Sequence, residues 1–287
     1  MNKLKLLFLL FPFFCNLIGE EINFIRKHKP GTSFNAKIST QYEVNCRSIK
    51  KEKIEKKVEE KKYFYFDGVI DIIECNSNSI PIKIHLKPQK IEGTLTSKNI
   101  NLFKNGYEDF SIIWNDNKME VKLSKNIEAT KEEIELLQTA FRSPSHQCRL
   151  DELLGEKANL APGYTWKLSD SYLKKIFSEK GIFLENNDIQ STANLAEILT
   201  IDNINCARIE VGIKMQAHEN FDFEYSARII LPIENELLPL KTTAISTEKI
   251  KINAIKKQSE DLLSDFDKME IQILYKADSE LKIREKK

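Results

Sequence analysis

Hydrophobic and polar positions alternate along most of this chain. From Phe34, the residues Phe34, Ala36, Ile38, Thr40, Tyr42, Val44 and Cys46 alternate with polar neighbours, a period of two that a half-buried strand uses. Residues 50–62, KKEKIEKKVEEKK, mix both signs of charge and predict a solvated hairpin tip or a short exposed helix. Residues 63–75 read as the partner strand. Ile80, Ile82, Ile84 and Leu86 form a third, whose prolines mark an edge or a strand end. The pattern continues through 92–124, where Phe110, Ile112 and Trp114 should face Met119, Val121 and Leu123 across a turn at 115–118. Thr130 with Glu133 makes a capping box, and Ile134, Leu137 and Phe141 share one stripe, so 131–142 should be a helix covering a sheet face. Ser143, Pro144 and Ser145 stop it, and a short segment around Leu150, Leu153 and Leu154 ends at Gly155.

Beyond that boundary, Leu160 to Trp166 passes through a Pro162-Gly163 turn, and Tyr172, Leu173, Ile176 and Phe177 predict a second helix at 171–180. Strand patterns return at 192–201, 207–215, 221–231, 245–252 and 269–276, with a turn at Asp202 to Asn205. The expected fold is mainly β (α+β), with antiparallel sheets of about ten strands and two or three short helices, because no crossover helices separate the strands. Two halves, 20–155 and 156–287, follow from the break at Gly155, and they form either one domain or two. They are alike in kind, but no internal repeat aligns.

Residues 1–19, MNKLKLLFLLFPFFCNLIG, alter this picture. Lys3 and Lys5 precede an apolar stretch that gives way to Glu20 and Glu21, the form of a secretory signal cleaved after Gly19. A membrane anchor would need a longer span without Pro12. Cys15 offers a second possibility, a lipidated cysteine at the mature terminus, although the bulky Phe13 and Phe14 precede it. Export agrees with an even number of remaining cysteines, Cys46, Cys75, Cys148 and Cys206. Cys46 with Cys75 is the preferred pairing, since both lie near the ends of neighbouring predicted strands; four free thiols are the alternative. No N-x-[ST] sequon occurs, which favours a bacterial envelope over a glycosylating pathway.

The chain carries 44 Lys+Arg against 43 Asp+Glu, a net charge of +1 that excludes a strongly basic nucleic-acid binder. No hydrolase elbow, phosphate loop, dinucleotide fingerprint, zinc-protease motif or calcium loop appears. The four histidines, His28, His85, His146 and His218, are dispersed. His146 lies two residues from Cys148, where a nucleophile–base pair is conceivable, but a structural Cys148 and a solvated His146 fit the spacing better. Asp67 and Asp71 share a strand face and read as surface or ion-paired carboxylates, His85 as solvated, and Trp166 as a core anchor beside its turn. No residue is assigned to catalysis, a cofactor or a metal.

The turn leading to a tryptophan, Leu160-Ala-Pro-Gly-Tyr-Thr-Trp166, resembles exported β-rich bacterial envelope proteins of unknown function, many of which carry a glycine shortly before the tryptophan. The plan of an antiparallel sheet with helices on one side is also similar to the LolA/LolB lipoprotein carriers, a resemblance that would imply an apolar cavity. The expected function is therefore non-enzymatic: a secreted or periplasmic protein binding a lipid, a lipoprotein or a protein partner. Membrane contact would come only through lipidation at Cys15. The alternative is a hydrolase assembled from dispersed residues, with His146, Asp67 or Asp71 taking part.

Overall fold

The computed structural model describes residues 20–23, 27–50, 53–96, 100–103, 108–115, 118–123, 128–141, 150–155, 157–178, 184–185, 188–217, 221–233, 240–253 and 268–284. The strands in chain order are β1 (Glu20–Asn23), β2 (Ser33–Lys50), β3 (Lys53–Cys75), β4 (Pro81–Leu95), β5 (Ile100–Leu102), β6 (Phe110–Asn115) and β7 (Lys118–Leu123), then β8 (Lys157–Leu160), β9 (Thr165–Trp166), β10 (Ile189–Ile201), β11 (Ile204–Ala217), β12 (Phe221–Pro232), β13 (Lys241–Asn253) and β14 (Lys268–Ile283). The helices are α1 (Lys131–Ala140), α2 (Leu150–Leu154) and α3 (Asp170–Ser178). The ten longer strands are those the periodicity predicts; β1, β5, β8 and β9, of two to four residues, are additional.

One open antiparallel sheet of 12 strands runs β7-β6-β4-β3-β2-β14-β13-β12-β11-β10-β9, with β5 on β4, while β1 pairs with β8 separately. The C-terminal strand β14 lies beside β2, so the ladder passes without a break from the first half of the chain to the second. In an antiparallel ladder directly paired residues point to the same side. The row Ala193, Val211, Ala227, Ala244, Ala277, Thr40, Phe64, Gly93 crosses eight strands and marks one inner face. The alternating residues Phe34 to Cys46 lie on it.

Two bulges keep this face apolar. The register shift at Asp67/Gly68 skips Gln89, so β4 presents Leu86 before it and Ile91 after it. The shift at Leu195/Glu197 skips Ala196, and β10 changes from Leu195 to Ile198. One extra residue reverses the side-chain parity, which a strand needs when its apolar positions change from even to odd. Pro81 begins β4 and Pro88 lies at the bulge, so both prolines occupy positions that tolerate a missing donor.

Two apolar clusters sit on the inner face. Leu136 and Leu137 of α1 close over Phe64, Phe66, Leu95 and Phe103, while Tyr172, Leu173 and Phe177 of α3 join Val211, Ile213, Met215 and Phe221. α1 starts as its sequence predicts: the Glu133 N–H donates to Thr130 Oγ1 at 3.2 Å and the Thr130 N–H to Glu133 Oε2 at 3.0 Å. α2 ends at Gly155, whose φ of +104° is left-handed territory that a glycine enters without strain. The β10–β11 turn has Asp202 at φ +48° and Asn203 at +63°, the left-handed pair of a tight hairpin.

Two expectations are corrected. The charged block 50–62 is neither helix nor tip beyond residue 53: it is the first half of β3, paired residue by residue with β2 down to Lys50↔Lys53. Cys46, Cys75 and Cys206 are free thiols. Cys46 faces Val58, whereas Cys75 lies 17 residues further along β3, about 55 Å away at strand rise. Both cysteines are near strand ends, but the ends are opposite ones. The signal segment 1–19, with Cys15, and the segment holding Ser143, His146 and Cys148 lie outside the described residues.

Candidate functional site

The two clusters leave a gap between them. Over β13 and β14 the inner positions shrink to Thr242, Ala244, Ser246, Ala277 and Ser279, so the sheet offers little bulk where the clusters would meet. Further along β14 and on its neighbour β2 the inner face becomes apolar and aromatic again. Tyr42, Val44, Cys46, Ile271, Ile273 and Tyr275 are all half-buried there.

Beside this gap the register sets two tyrosines on either side of a serine. Ser246 pairs with Tyr225 on β12 and with Tyr275 on β14, so the two tyrosines occupy inner positions about 10 Å apart at the spacing of two strands. Each tyrosine has a neighbour that fixes it. Tyr275 donates its hydroxyl to the Thr139 carbonyl at 3.1 Å, and Thr139 Oγ1 lies 2.9 Å from Thr40 Oγ1. Tyr225 stacks on Phe223 at 6.5 Å and 6°, and Phe223 meets Phe177 of α3 edge-on at 5.0 Å. Two residues along β13, Glu248 lies between Phe223 and Ile273 on the same face.

In the same cross-strand row, Lys62 hydrogen-bonds Glu135 of α1 at 2.5 Å and Glu60 at 2.9 Å, with its ammonium 5.3 Å from the centroid of the Tyr42 ring. Burial pulls the Lys62 ammonium down, but the bonds to Glu135 and Glu60 outweigh it and hold the group above its ordinary pKa. Burial raises the Tyr42 phenol, Lys62 opposes that, and Glu60 and Glu248 add to it.

The outer face carries the residues singled out in sequence. Asp67 is 3.7 Å from Lys37. Asp71 accepts from Ser33 and lies 2.9 Å from Lys87. Burial would raise Asp71, yet the Ser33 hydroxyl and the Lys87 ammonium hold it below the usual carboxylate range. Four residues apart on β3, the two carboxylates stand about 13 Å from each other, beyond the separation at which a carboxylate pair cleaves glycosides. His85 is not simply solvated: its Nδ1 is 3.1 Å from Ser111 Oγ and its Nε2 3.6 Å from Asp109. A hydroxyl on β6, an imidazole on β4 and the Asp109 carboxylate just before β6 thus meet on the outer face. Among the described residues no group of three His, Cys, Asp or Glu side chains could hold a metal ion. A depression of about 420 Å³ at the ends of β10 to β13 is lined by Met215 and Phe223 together with charges such as Lys214 and Glu224, 3.1 Å apart.

Trp166 packs against the C-terminal cluster and donates its Nε1–H to the Leu154 carbonyl at 3.3 Å, tying the turn to α2. Tyr164 stacks beside it at 6.3 Å. Tyr42, Tyr225, Tyr275, Ser246 and Glu248 were not singled out in sequence, and the odd residue in the inner series Thr242, Ala244, Ser246, Glu248, Ile250, Ile252 is the carboxylate.

No protein-family model and no curated protein matches the sequence. Among solved structures, a protein from Bacteroides fragilis described as exported and YmcC-like in fold aligns over 92% of this chain and 100% of its own, at 8% identity and a TM-score of 0.21. Pseudomonas aeruginosa OpdQ aligns over 86% of this chain and 98% of its own, at 7% identity and a TM-score of 0.23. At these scores neither protein lends its fold or its role to this chain. No helix among the described residues is long and apolar enough to cross a membrane.

Proposed function

We propose that this chain is a non-enzymatic exported protein of the cell envelope that binds a lipid, or the lipid-bearing part of a lipoprotein, on the inner face of its sheet. The observation that carries the reading is the band Tyr42, Val44, Ile271, Ile273 and Tyr275, apolar and half-buried on strands that link two helix-covered clusters. Apolar area left at this level of cover is a standing gain for a ligand, at about 0.8 kcal/mol for each methylene removed from water. Helices resting on one face of an antiparallel sheet are also what the resemblance to LolA/LolB would imply. Export rests on the sequence, through Lys3, Lys5 and the apolar run that ends before Glu20.

The test is native mass spectrometry of the mature protein from an exporting host, before and after mild denaturation, with titration of an apolar fluorescent probe. A released adduct of lipid mass and saturable probe binding are expected. A clean mass together with a probe that does not bind would remove the reading. N-terminal sequencing from the same preparation should begin at Glu20; a chain that keeps residues 1–19 and stays in the soluble cytoplasmic fraction would remove export.

A further inference from the structure

We infer that the depression at the ends of β10 to β13 is a second binding site, one that takes a neutral saccharide. The inference stands apart from the apolar-face reading, because the two rows of side chains that line the depression belong to the other side of the sheet. In the first row Gln190 pairs with Lys214, Lys214 with Glu224 and Glu224 with Thr247; in the second, two residues along, Gln216 pairs with Asp222 and Asp222 with Lys249. All these positions are outer ones, since each lies an odd number of residues from the inner row of Ala193, Val211, Ala227 and Ala244. The rows stand about 7 Å apart along the strands and the neighbours within each about 5 Å apart across them. The volume they line, about 420 Å³, is that of a small-molecule site.

Most of these side chains have no partner in the protein. Lys214 and Glu224 hold each other at 3.1 Å, and Asp188 beside them accepts the Glu185 N–H at 2.7 Å. Among the described residues, the side chains of Gln190, Gln216, Asp222, Thr247 and Lys249 make no hydrogen bond or ion pair, and Asp222 and Lys249 make none with each other although they are register partners. Two amides, a hydroxyl, a carboxylate and an ammonium thus open on one depression with their donors and acceptors unused. The set selects its ligand by charge. Three carboxylates, Asp188, Asp222 and Glu224, are interleaved with two ammoniums, Lys214 and Lys249, so an anion meets a carboxylate and a cation meets an ammonium wherever either lies. An uncharged ligand avoids both. Each hydroxyl of a sugar ring donates and accepts, so a carboxylate takes a hydrogen bond from one, an ammonium gives a bond to its neighbour, and a glutamine amide does both. An apolar ligand would strip water from the same five groups and leave them unsatisfied.

The experiment is ligand-observed NMR of the mature protein with maltotriose and the N-acetylglucosamine trimer as neutral probes, and with diglycine and succinate as charged ones, all at millimolar concentration. Saturation transfer to at least one trisaccharide is expected. Gln190→Ala, Gln216→Ala and Asp222→Asn, on three different strands, should each weaken that binding about fivefold or more, the loss of one hydrogen bond to the ligand. Glu92→Gln, on the outer face of the other half of the sheet, should leave it unchanged. Gln190 and Gln216 are exposed, so their truncation keeps the sheet, which far-ultraviolet circular dichroism of each variant checks. If neither trisaccharide binds, or if binding survives all three substitutions, the site is overturned. Diglycine or succinate binding more tightly than both trisaccharides overturns the neutral class. An apolar probe on the inner face should bind Gln216→Ala as it binds the parent, so failure of this inference and failure of the apolar-face reading are told apart.

Discussion

Gly93 lies directly beneath α1, and replacing it by alanine should loosen the helix from the sheet. A Cβ at this position would come 2.6 Å from Leu136 Cδ1 and 2.9 Å from Phe103 Cε2, and both partners are themselves buried, Leu136 at 0% exposure. Neither can retreat freely: Leu136 is enclosed by its cluster, and the Phe103 ring stands edge-on to Phe64 at 6.1 Å. Overpacking of this kind costs about 1–3 kcal/mol, against about 0.5 kcal/mol regained because alanine loses less chain entropy than glycine, so a net loss of about 1–2 kcal/mol is expected. Leu136→Ala alone should cost about 3 kcal/mol as a cavity. Combined, the new methyl group enters the space the leucine leaves, and the double variant should be more stable than the sum of the two by about 1 kcal/mol. Urea unfolding followed through fluorescence and far-ultraviolet circular dichroism supplies the cycle. A neutral Gly93→Ala, or a cycle additive within about 0.5 kcal/mol, would refute the packing argument.

Thr130→Ala removes the hydroxyl that caps α1 and should cost about 1 kcal/mol in the same urea assay, with Thr130→Ser retaining most of it; an alanine variant as stable as the parent would deny the cap an energetic role. Burial lowers the His28 pKa to about 4, below the value of about 6.5 in an unfolded chain. The unfolded state therefore takes the proton first as pH falls: the contribution is whole above pH 6.5, is lost on the way to pH 4, and amounts to about 2–3 kcal/mol. His28→Phe should flatten the fall of the urea midpoint between pH 7 and pH 4.5, and an equally steep fall in the variant would assign that dependence elsewhere. Cys46 and Cys75 are half-buried and Cys206 is 0% exposed, so a maleimide should reach the first two in the native protein and Cys206 only after unfolding; a bridged mass for Cys46 with Cys75 would contradict the ladder that separates them.

Most of the sheet is legible in sequence because one face is wet and the other dry, and alternation then writes the pleat into the residues. The Phe110 to Leu123 hairpin is the plainest instance, since its three predicted facing pairs, Phe110 with Leu123, Ile112 with Val121 and Trp114 with Met119, are the pairs of the ladder. The block 50–62 fails for the complementary reason. Beyond Lys62, which pairs with Leu95, β3 extends past the end of β4 and its outer edge has no β4 partner. Ile54 is 57% exposed and Val58 46%, so neither face of this stretch is dry enough to impose a period of two. Its lysines and glutamates suit that place, because a charged edge resists pairing with a second chain. The short strands β1, β5, β8 and β9 are too brief for any period to register, and tertiary contact alone makes them strands.

The site was less legible than the fold, and register is the cause. Tyr42, Tyr225 and Tyr275 each occupy an ordinary inward position in an ordinary alternating strand, so none signals more than packing. They share one row only because β14 returns across the chain to lie beside β2, a pairing between residues more than two hundred apart for which no local signal exists. The cysteine pairing fails for a local reason: both residues lie near strand ends, but at opposite ends of the β2–β3 hairpin. One signal was available. An inner series of Thr242, Ala244, Ser246, Glu248, Ile250 and Ile252 places a carboxylate where every neighbour argues for an apolar or small group. Glu248 breaks the pattern of its own strand, and the register then leads from it to Tyr225 and Tyr275 on the neighbouring strands.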